Sequence, residues 1–167
     1  TIMNLWYNSA RVVFMYSDEL VCDMLNYIHD HLYETISMDE LSRRFFYDKS
    51  YLMRKFKKAL GMTIGYYVNA MRIYNSLSSY QTGDSVLKIA LFHGFHSIEY
   101  YSEVFRSMMG VSPRTYKKFV QYRYYENEDE YYKMTTTVVQ LQSLKKFVSD
   151  YQSRRKPVKL PVKKIRL

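Results

Sequence analysis

From Ser17 onward the apolar positions recur three and four residues apart, the spacing of one helix face. Val21, Met24, Leu25, Ile28 and Leu32 mark a first helix. Ser37-Met38-Asp39-Glu40 has the form of a capping box, in which the serine hydroxyl accepts the third helical N–H and the glutamate reaches back to the cap. A second helix of about two turns follows, with Leu41 and Phe45 inward. Asp48 caps a third helix predicted over 49–60, with Leu52, Phe56 and Ala59 inward and Gly61 as its stop. A fourth is predicted over 64–80, burying Ile64, Tyr67, Met71, Tyr74 and Leu77, and Gln81-Thr82-Gly83-Asp84 breaks it. A fifth covers 85–92 and buries Val86, Ile89 and Ala90. The sixth starts at the Ser97 cap, runs to Met109, buries Tyr101, Phe105 and Met108, and stops at Gly110. Ser112-Pro113 then sets proline at the first position of a seventh helix that carries Tyr116 and Phe119.

Two of these stretches repeat. Leu52, Phe56, Leu60, Gly61 and Tyr67 align without gaps on Tyr101, Phe105, Met109, Gly110 and Tyr116, at a constant offset (105 − 56 = 49). Each copy reads as a short helix, a tight turn, a second helix, a glycine stop and a further helix, which is the helix-turn-helix form. The expected fold is therefore all-α: two helix-turn-helix units joined by a long linker helix, about seven helices in all, plus a C-terminal extension. A linker of about 17 residues rises ~25 Å. With its flanking turns it sets the two second helices near the ~34 Å of one DNA turn.

The flanks differ from this regular middle. Residues 1–16 form a mixed apolar lead (Leu5, Trp6, Tyr7, Val12, Val13, Phe14) without a clear period, read as a helix edge or the remnant of an upstream domain. The repeat-bearing domain spans 17–119, and 120–167 reads as a tail. Within the tail, Tyr122 to Tyr132 is tyrosine-rich and acidic. A helix is expected over 135–151, with Val138, Leu141, Leu144 or Lys145, and Val148 on one side. The stretch 154–167 reads as an extended basic arm that clamps phosphates or enters a minor groove, or as a disordered end.

Composition narrows the partners. A hydrophobic fraction of 47% supports a packed core, and 5 Gly with 3 Pro in 167 residues disfavour a turn-rich β architecture. The net charge of +9 favours nucleic acid or an anionic membrane surface. Its distribution tempers that. Residues 1–119 hold 14 Lys+Arg against 11 Asp+Glu, and 120–167 hold 11 against 5, so most of the excess lies in the tail. A single cysteine, Cys22, excludes an internal disulfide and fits a reducing, cytoplasmic setting. No apolar run approaches the ~20 residues of a membrane span, so no membrane partner is expected. No signal peptide is evident, and the start at Thr1 reads as part of a longer protein.

The repeat carries residues that resemble the AraC/XylS family of bacterial transcriptional regulators, over about Leu20 to Lys118. The first unit holds Ser50-Tyr51-Leu52, Arg54, Phe56-Lys57 and Gly61, followed in the linker by Met71-Arg72-Ile73. The second holds Ile89-Ala90, Gly94-Phe95, Ser97, Tyr100-Tyr101-Ser102, Phe105, Gly110-Val111-Ser112-Pro113 and Tyr116. Ser42 and Ser76 stand where the family usually has alanine, Lys117 where arginine is common, and Glu103 where arginine often stands in the second reading helix. The resemblance implies double-stranded DNA as ligand and RNA polymerase as a partner to recruit or block. It also implies an upstream effector-binding or dimerising domain, absent here or reduced to the lead.

With Leu52 and Phe56 inward, the third helix presents Lys49, Ser50, Met53, Arg54 and Lys57. Arg54 is the expected base reader, because its fork can bond guanine O6 and N7 together. Ser50 and Met53 are expected at base edges or a thymine methyl, and Lys49 and Lys57 at phosphates, which fix position rather than sequence. The matching face of the sixth helix presents Ile98, Glu99, Ser102, Glu103 and Arg106. Residues 49–60 carry five Lys+Arg and no acid, whereas 98–109 set Arg106 against Glu99 and Glu103. A carboxylate near phosphates is repulsive unless it accepts from cytosine N4. The first unit is therefore expected to supply most direct readout, and the second to dock loosely or read cytosine.

Other chemistry is not expected. His29 and His31 fall on nearly opposite sides of a helix, and His93 and His96 flank Gly94-Phe95 without cysteines or clustered acids, so surface or turn histidines are expected and no metal. Cys22 reads as a partly buried small hydrophobe. Most of the 19 tyrosines fall at core spacing and read as packing rather than base stacking. No catalytic constellation and no cofactor motif is present, so no enzyme is expected. The competing function is a protein-interaction module that modulates another regulator or RNA polymerase with little DNA binding of its own, a reading favoured by Glu99 and Glu103.

Overall fold

The computed structural model describes residues 17–154 apart from 124 and 126. The lead and all of the basic arm beyond Arg154 lie outside the described residues. Among those described, the regular structure is helical: α1 (Glu19–Asp30), α2 (Met38–Phe45), α3 (Lys49–Leu60), α4 (Ile64–Ser76), a 3-10 helix (Leu77–Thr82), α5 (Val86–Phe92), α6 (Ile98–Met109), α7 (Pro113–Tyr122) and α8 (Glu128–Ser153). The helix pair α2–α3 and the pair α5–α6 are the two helix-turn-helix units, with α4 between them.

Local chemistry fixes these boundaries. The side chains of Ser37, Asp48, Ser97 and Ser112 each accept an N–H of the turn they open, as predicted. Gly61 and Gly110 close α3 and α6 in the left-handed region, at φ 73° and 76°. One cap differs from expectation. The Glu40 carboxylate does not complete a capping box; it accepts the Tyr27 hydroxyl of α1. Burial and then this carboxylate push the Tyr27 hydroxyl up to about 12.

The linker is not one α-helix to Tyr80. It tightens into 3-10 geometry after Ser76, where hydroxyls compete for backbone carbonyls. Ser76 Oγ donates to Ile73 O, Ser78 Oγ to Asn75 O and Thr82 Oγ1 to Ser79 O. Ile64, Tyr67, Met71 and Leu77 are buried as predicted, while Tyr74 is half-buried. Val86 and Met108 are also only half-buried, and Met109 and Val104 go inward on α6 instead. Met108 and Met109 lie three and four residues beyond Phe105, and packing selects the one that matches Leu60 rather than Ala59.

Arg72 ties the units together. Its Nε donates to Leu32 O and its second nitrogen to Glu34 O, both at 2.7 Å, and its guanidinium lies 5.7 Å from the centre of the Phe95 ring. Leu32 and Glu34 belong to the loop before α2, and Phe95 to the turn between α5 and α6. Burial lowers the Arg72 pKa from its ordinary value. Two carbonyls satisfied by one planar fork make this loop a fixed surface.

The tail is the largest departure. The helix predicted over 135–151 begins at Glu128, so half of the acidic stretch is helical. Its Asn127 cap, Glu128, Asp129 and Glu130 suit a helix N-terminus, where the aligned peptide dipoles favour negative charge. α8 packs on α4 and α6, and Met134, Leu141, Leu144 and Val148 are buried. Side chains of this kind contribute roughly 1.5–3 kcal/mol each when fully buried. α8 is therefore part of the core and not an appendage.

Candidate nucleic-acid interface

α3 turns Leu52, Phe56 and Leu60 into the core and leaves Ser50, Met53, Arg54 and Lys57 exposed, with Lys49 half-buried. α6 turns Tyr101, Phe105 and Met109 inward and leaves Glu99, Glu103 and Arg106 exposed, with Ile98 and Ser102 half-buried. Each predicted set thus shares one face of its helix. A groove of about 490 Å³ opens between the units. Met53, Arg54 and Lys57 line one side, His96 and Tyr100 the other, and Thr63, Gly65 and Asn69 at the start of α4 lie between. The predicted α6 residues lie outside this groove.

Ion pairs sort the cations of α3. Lys49 pairs with Asp39 of α2 and holds that carboxylate below its ordinary pKa. Lys55 Nζ donates to Asp18 Oδ2 at 2.6 Å. Burial works to raise the Asp18 pKa, yet the Lys55 ammonium and the Val21 N–H hold it below the usual carboxylate value. Arg54 and Lys57 make no salt bridge among the described residues, which leaves their charge for an outside anion. Lys49 is the less available of the two predicted phosphate ligands, because a bound phosphate must compete with Asp39.

Several groove residues escaped the sequence reading. Tyr100 is 48% exposed, and its hydroxyl accepts from Asn69 Nδ2 at 3.0 Å. Thr35 Oγ1 and His96 Nε2 are hydrogen-bonded across the two units at 3.1 Å. The repeat held one signal: Tyr100 lies 49 positions after Tyr51. Tyr51, however, stacks on Tyr47 with ring centres 4.9 Å apart and has Lys55 over its face. The two equivalent tyrosines serve different surfaces.

His93 is a turn histidine, one of the two expected placements, and is buried there; its Nε2 is hydrogen-bonded to Ser79 Oγ at 2.9 Å, and burial lowers its pKa. Cys22 is wholly buried, where partial burial was expected. Among the described tyrosines, Tyr27, Tyr67, Tyr80, Tyr101 and Tyr116 are buried and Tyr66, Tyr74, Tyr131 and Tyr151 pack partly buried against the core, whereas Tyr33, Tyr47, Tyr100, Tyr122, Tyr125 and Tyr132 are exposed. No cluster of three or more His, Cys, Asp or Glu suited to a metal ion occurs among the described residues. None of the described helices is long and apolar enough to cross a membrane.

Comparison with known proteins agrees with this architecture. A family model for a helix-turn-helix domain matches residues 41–118. The chain is 29% identical over 103 residues to the helix-turn-helix-type transcriptional activator AarP of Providencia stuartii, covering 61% of this chain and 76% of AarP. It is 29% identical over 119 residues to an uncharacterised regulator, YbfP, of Bacillus subtilis, covering 71% of this chain and 40% of YbfP. Among solved structures, a Listeria innocua protein of unknown function superposes with a TM-score of 0.58 at 28% identity, over 62% of this chain and all of that one. The DNA-binding domain of AdpA, a global transcriptional factor crystallised with target DNA, superposes with a TM-score of 0.58 at 22% identity, over 66% of this chain and all of that one. That likeness establishes shared fold. Residues 41–118 thus match a helix-turn-helix domain family, and the relatives that the chain resembles are named as transcriptional regulators.

Proposed function

We propose that this chain reads double-stranded DNA with both units at once, α3 as the principal reader and α6 as the second, and so regulates transcription in the bacterial cytoplasm. One observation carries the reading. An exposed, acid-free face with uncommitted Arg54 and Lys57 borders an open groove whose far side is formed by His96 and Tyr100 of the second unit. Arg54 bonds a guanine through O6 and N7, Ser50 and Met53 meet neighbouring base edges, and Lys57 holds phosphate. On α6, Arg106 supplies charge and Glu103 accepts from cytosine N4, a base-edge arrangement in which a carboxylate there is favourable. Tyr100 and Asn69 face the backbone between the two contacted segments. Recruitment or blocking of RNA polymerase converts occupancy into regulation.

The test is selection of bound sequences from a random duplex library at stated salt, followed by footprinting. Two preferred segments about one helical turn apart are expected. A bound pool no different from the starting pool, together with capture of RNA polymerase by the chain alone, replaces this reading with the interaction module.

A further inference from the structure

Helix α8 touches the second unit and α7 near its start and α1 at its end. Near its start, Tyr131 packs on Phe119 of α7 with ring centres 5.7 Å apart. Two residues on, the Lys133 stem lies against Gly110, the stop of α6; a Cβ there would come within 3.3 Å of Lys133 Cβ. In the middle, Leu141 and Leu144 are buried, and the Lys145 ammonium sits 5.4 Å from the centre of the Tyr74 ring on the linker. At its end, the Tyr151 hydroxyl accepts the Asp18 N–H at 2.8 Å and Gln152 Nε2 donates to Asn26 Oδ1 at 2.8 Å. The Arg154 carbonyl accepts the Ser17 N–H at 3.2 Å.

Asp18 is the residue that makes this more than packing. Its side chain caps α1 and pairs with Lys55, on the flank of α3. One rigid element is therefore keyed to both reading helices: to α3 through Asp18 and Lys55, and to α6 at its Gly110 stop. Its 26 residues rise ~39 Å, longer than one turn of DNA. No α8 residue lines the groove between the units, so the helix braces the readers without covering the face they present.

We propose that α8 is a splint that sets the spacing of DNA half-sites this protein accepts, with Leu141, Leu144 and Tyr151 as positioning residues for readout. The inference rests on the two-unit DNA reading. Inserting one base pair between two contacted segments shifts the second by ~3.4 Å and turns it by about a tenth of a helical turn. A braced pair of readers cannot follow that change. A pair joined by α4 and the Arg72 loop alone follows it more easily.

The experiment uses the full chain and the duplex that it enriches from a random library. Binding is measured on that duplex, on versions with one or two base pairs inserted or deleted between the footprinted segments, and on a duplex holding the α3 segment alone. For the unaltered chain, one inserted base pair is expected to weaken binding at least about tenfold, the cost of losing one good bidentate base contact. In L141D/L144D, and to a smaller degree in Y151F/Q152A, that penalty is expected to shrink to below about threefold, with single-segment binding unchanged. Y151F/Q152A leaves the buried side of α8 intact and so keeps the test open if the first variant fails to fold. Insertion penalties equal to those of the unaltered chain overturn the splint, as does a parallel loss on the single segment. An unaltered chain with no duplex preference overturns the two-unit reading and the splint together.

Discussion

Set side by side, the two helix-turn-helix units share a frame and differ in what the frame presents. α3 and α6 are both 12-residue helices, both turn an aromatic and two aliphatic or aromatic partners inward, and both stop at a left-handed glycine. The residue before the turn must also be left-handed in each: Phe46 at φ 60° in the first unit and Gly94 at φ 79° in the second. Yet Phe46 is 91% exposed, whereas Gly94 is buried against the Tyr33 backbone. Lys55 is an ion-pair residue on α3, and its counterpart Val104 is buried on α6. At these positions the second unit is thus the more closely packed, and the first is the one that displays charge. Repetition of a fold does not repeat its surface, because each copy meets different neighbours.

The sharpest way to break that comparison is at the two left-handed positions. A Cβ at Gly94 would lie 2.7 Å from Tyr33 Cα and O, and its backbone conformation disfavours any side chain. Gly94→Ala is expected to cost about 2–4 kcal/mol, combining left-handed strain with overpacking. Denaturant unfolding checks this, and a loss within about 0.5 kcal/mol would show that the second unit is not locked against the loop. Phe46→Gly should do the opposite: relief of strain at an exposed site outweighs the added chain entropy by about 0.5–1 kcal/mol.

Next in size is the difference between the reading faces. Arg54→Ala is expected to weaken binding to the selected duplex by about 1–3 kcal/mol and to relax preference at one base position. Glu103→Ala should be neutral or tighten binding to unselected DNA. Sequence preference that survives Arg54→Ala and disappears in Glu103→Ala reverses the assignment of principal reader.

The smallest effect is one of pH. Burial lowers the pKa of two histidines, His29 on α1, bonded to Tyr67 at 2.7 Å, and His93 at the end of α5. The fold therefore favours neutral imidazole, while the unfolded chain takes up protons near the ordinary value of 6.5. Stability present above that value is lost as pH falls below it, because the unfolded state then binds more protons. Unfolding midpoints at pH 7.5 and 5.5 should fall on acidification, and His93→Gln should flatten the fall more than His29→Gln, since His93 is the more enclosed.

Much of the frame was legible in the residues. The caps Ser37, Asp48, Ser97 and Ser112 and the stops Gly61 and Gly110 are local chemistry, readable without neighbours. So is the inward line of Leu52 and Phe56, and the ten predicted interface residues fall on the two faces assigned to them. The groove was not legible. Tyr100 and His96, Asn69, and Thr35 come from three separate segments, and only the packing of the Arg72 loop against the α5–α6 turn brings them together. The early start of α8 was hidden too, because Glu128 to Glu130 read as solvated charge until a helix N-terminus is placed beneath them.

The sequence by itself determined that this protein holds two copies of one helical unit, where the capped helices α2, α3, α6 and α7 start and where α3 and α6 stop, and that the first copy carries the cationic face. These follow from spacing, capping and charge within a few residues. Only the tertiary structure decided that Lys49 and Lys55 are committed to carboxylates while Arg54 and Lys57 are not. It alone made the tail a core helix keyed to both reading helices. Those outcomes depend on which distant groups meet, and Asp18 and Tyr151 lie 133 residues apart in sequence. No local period encodes a contact at that separation; the closing of the core does.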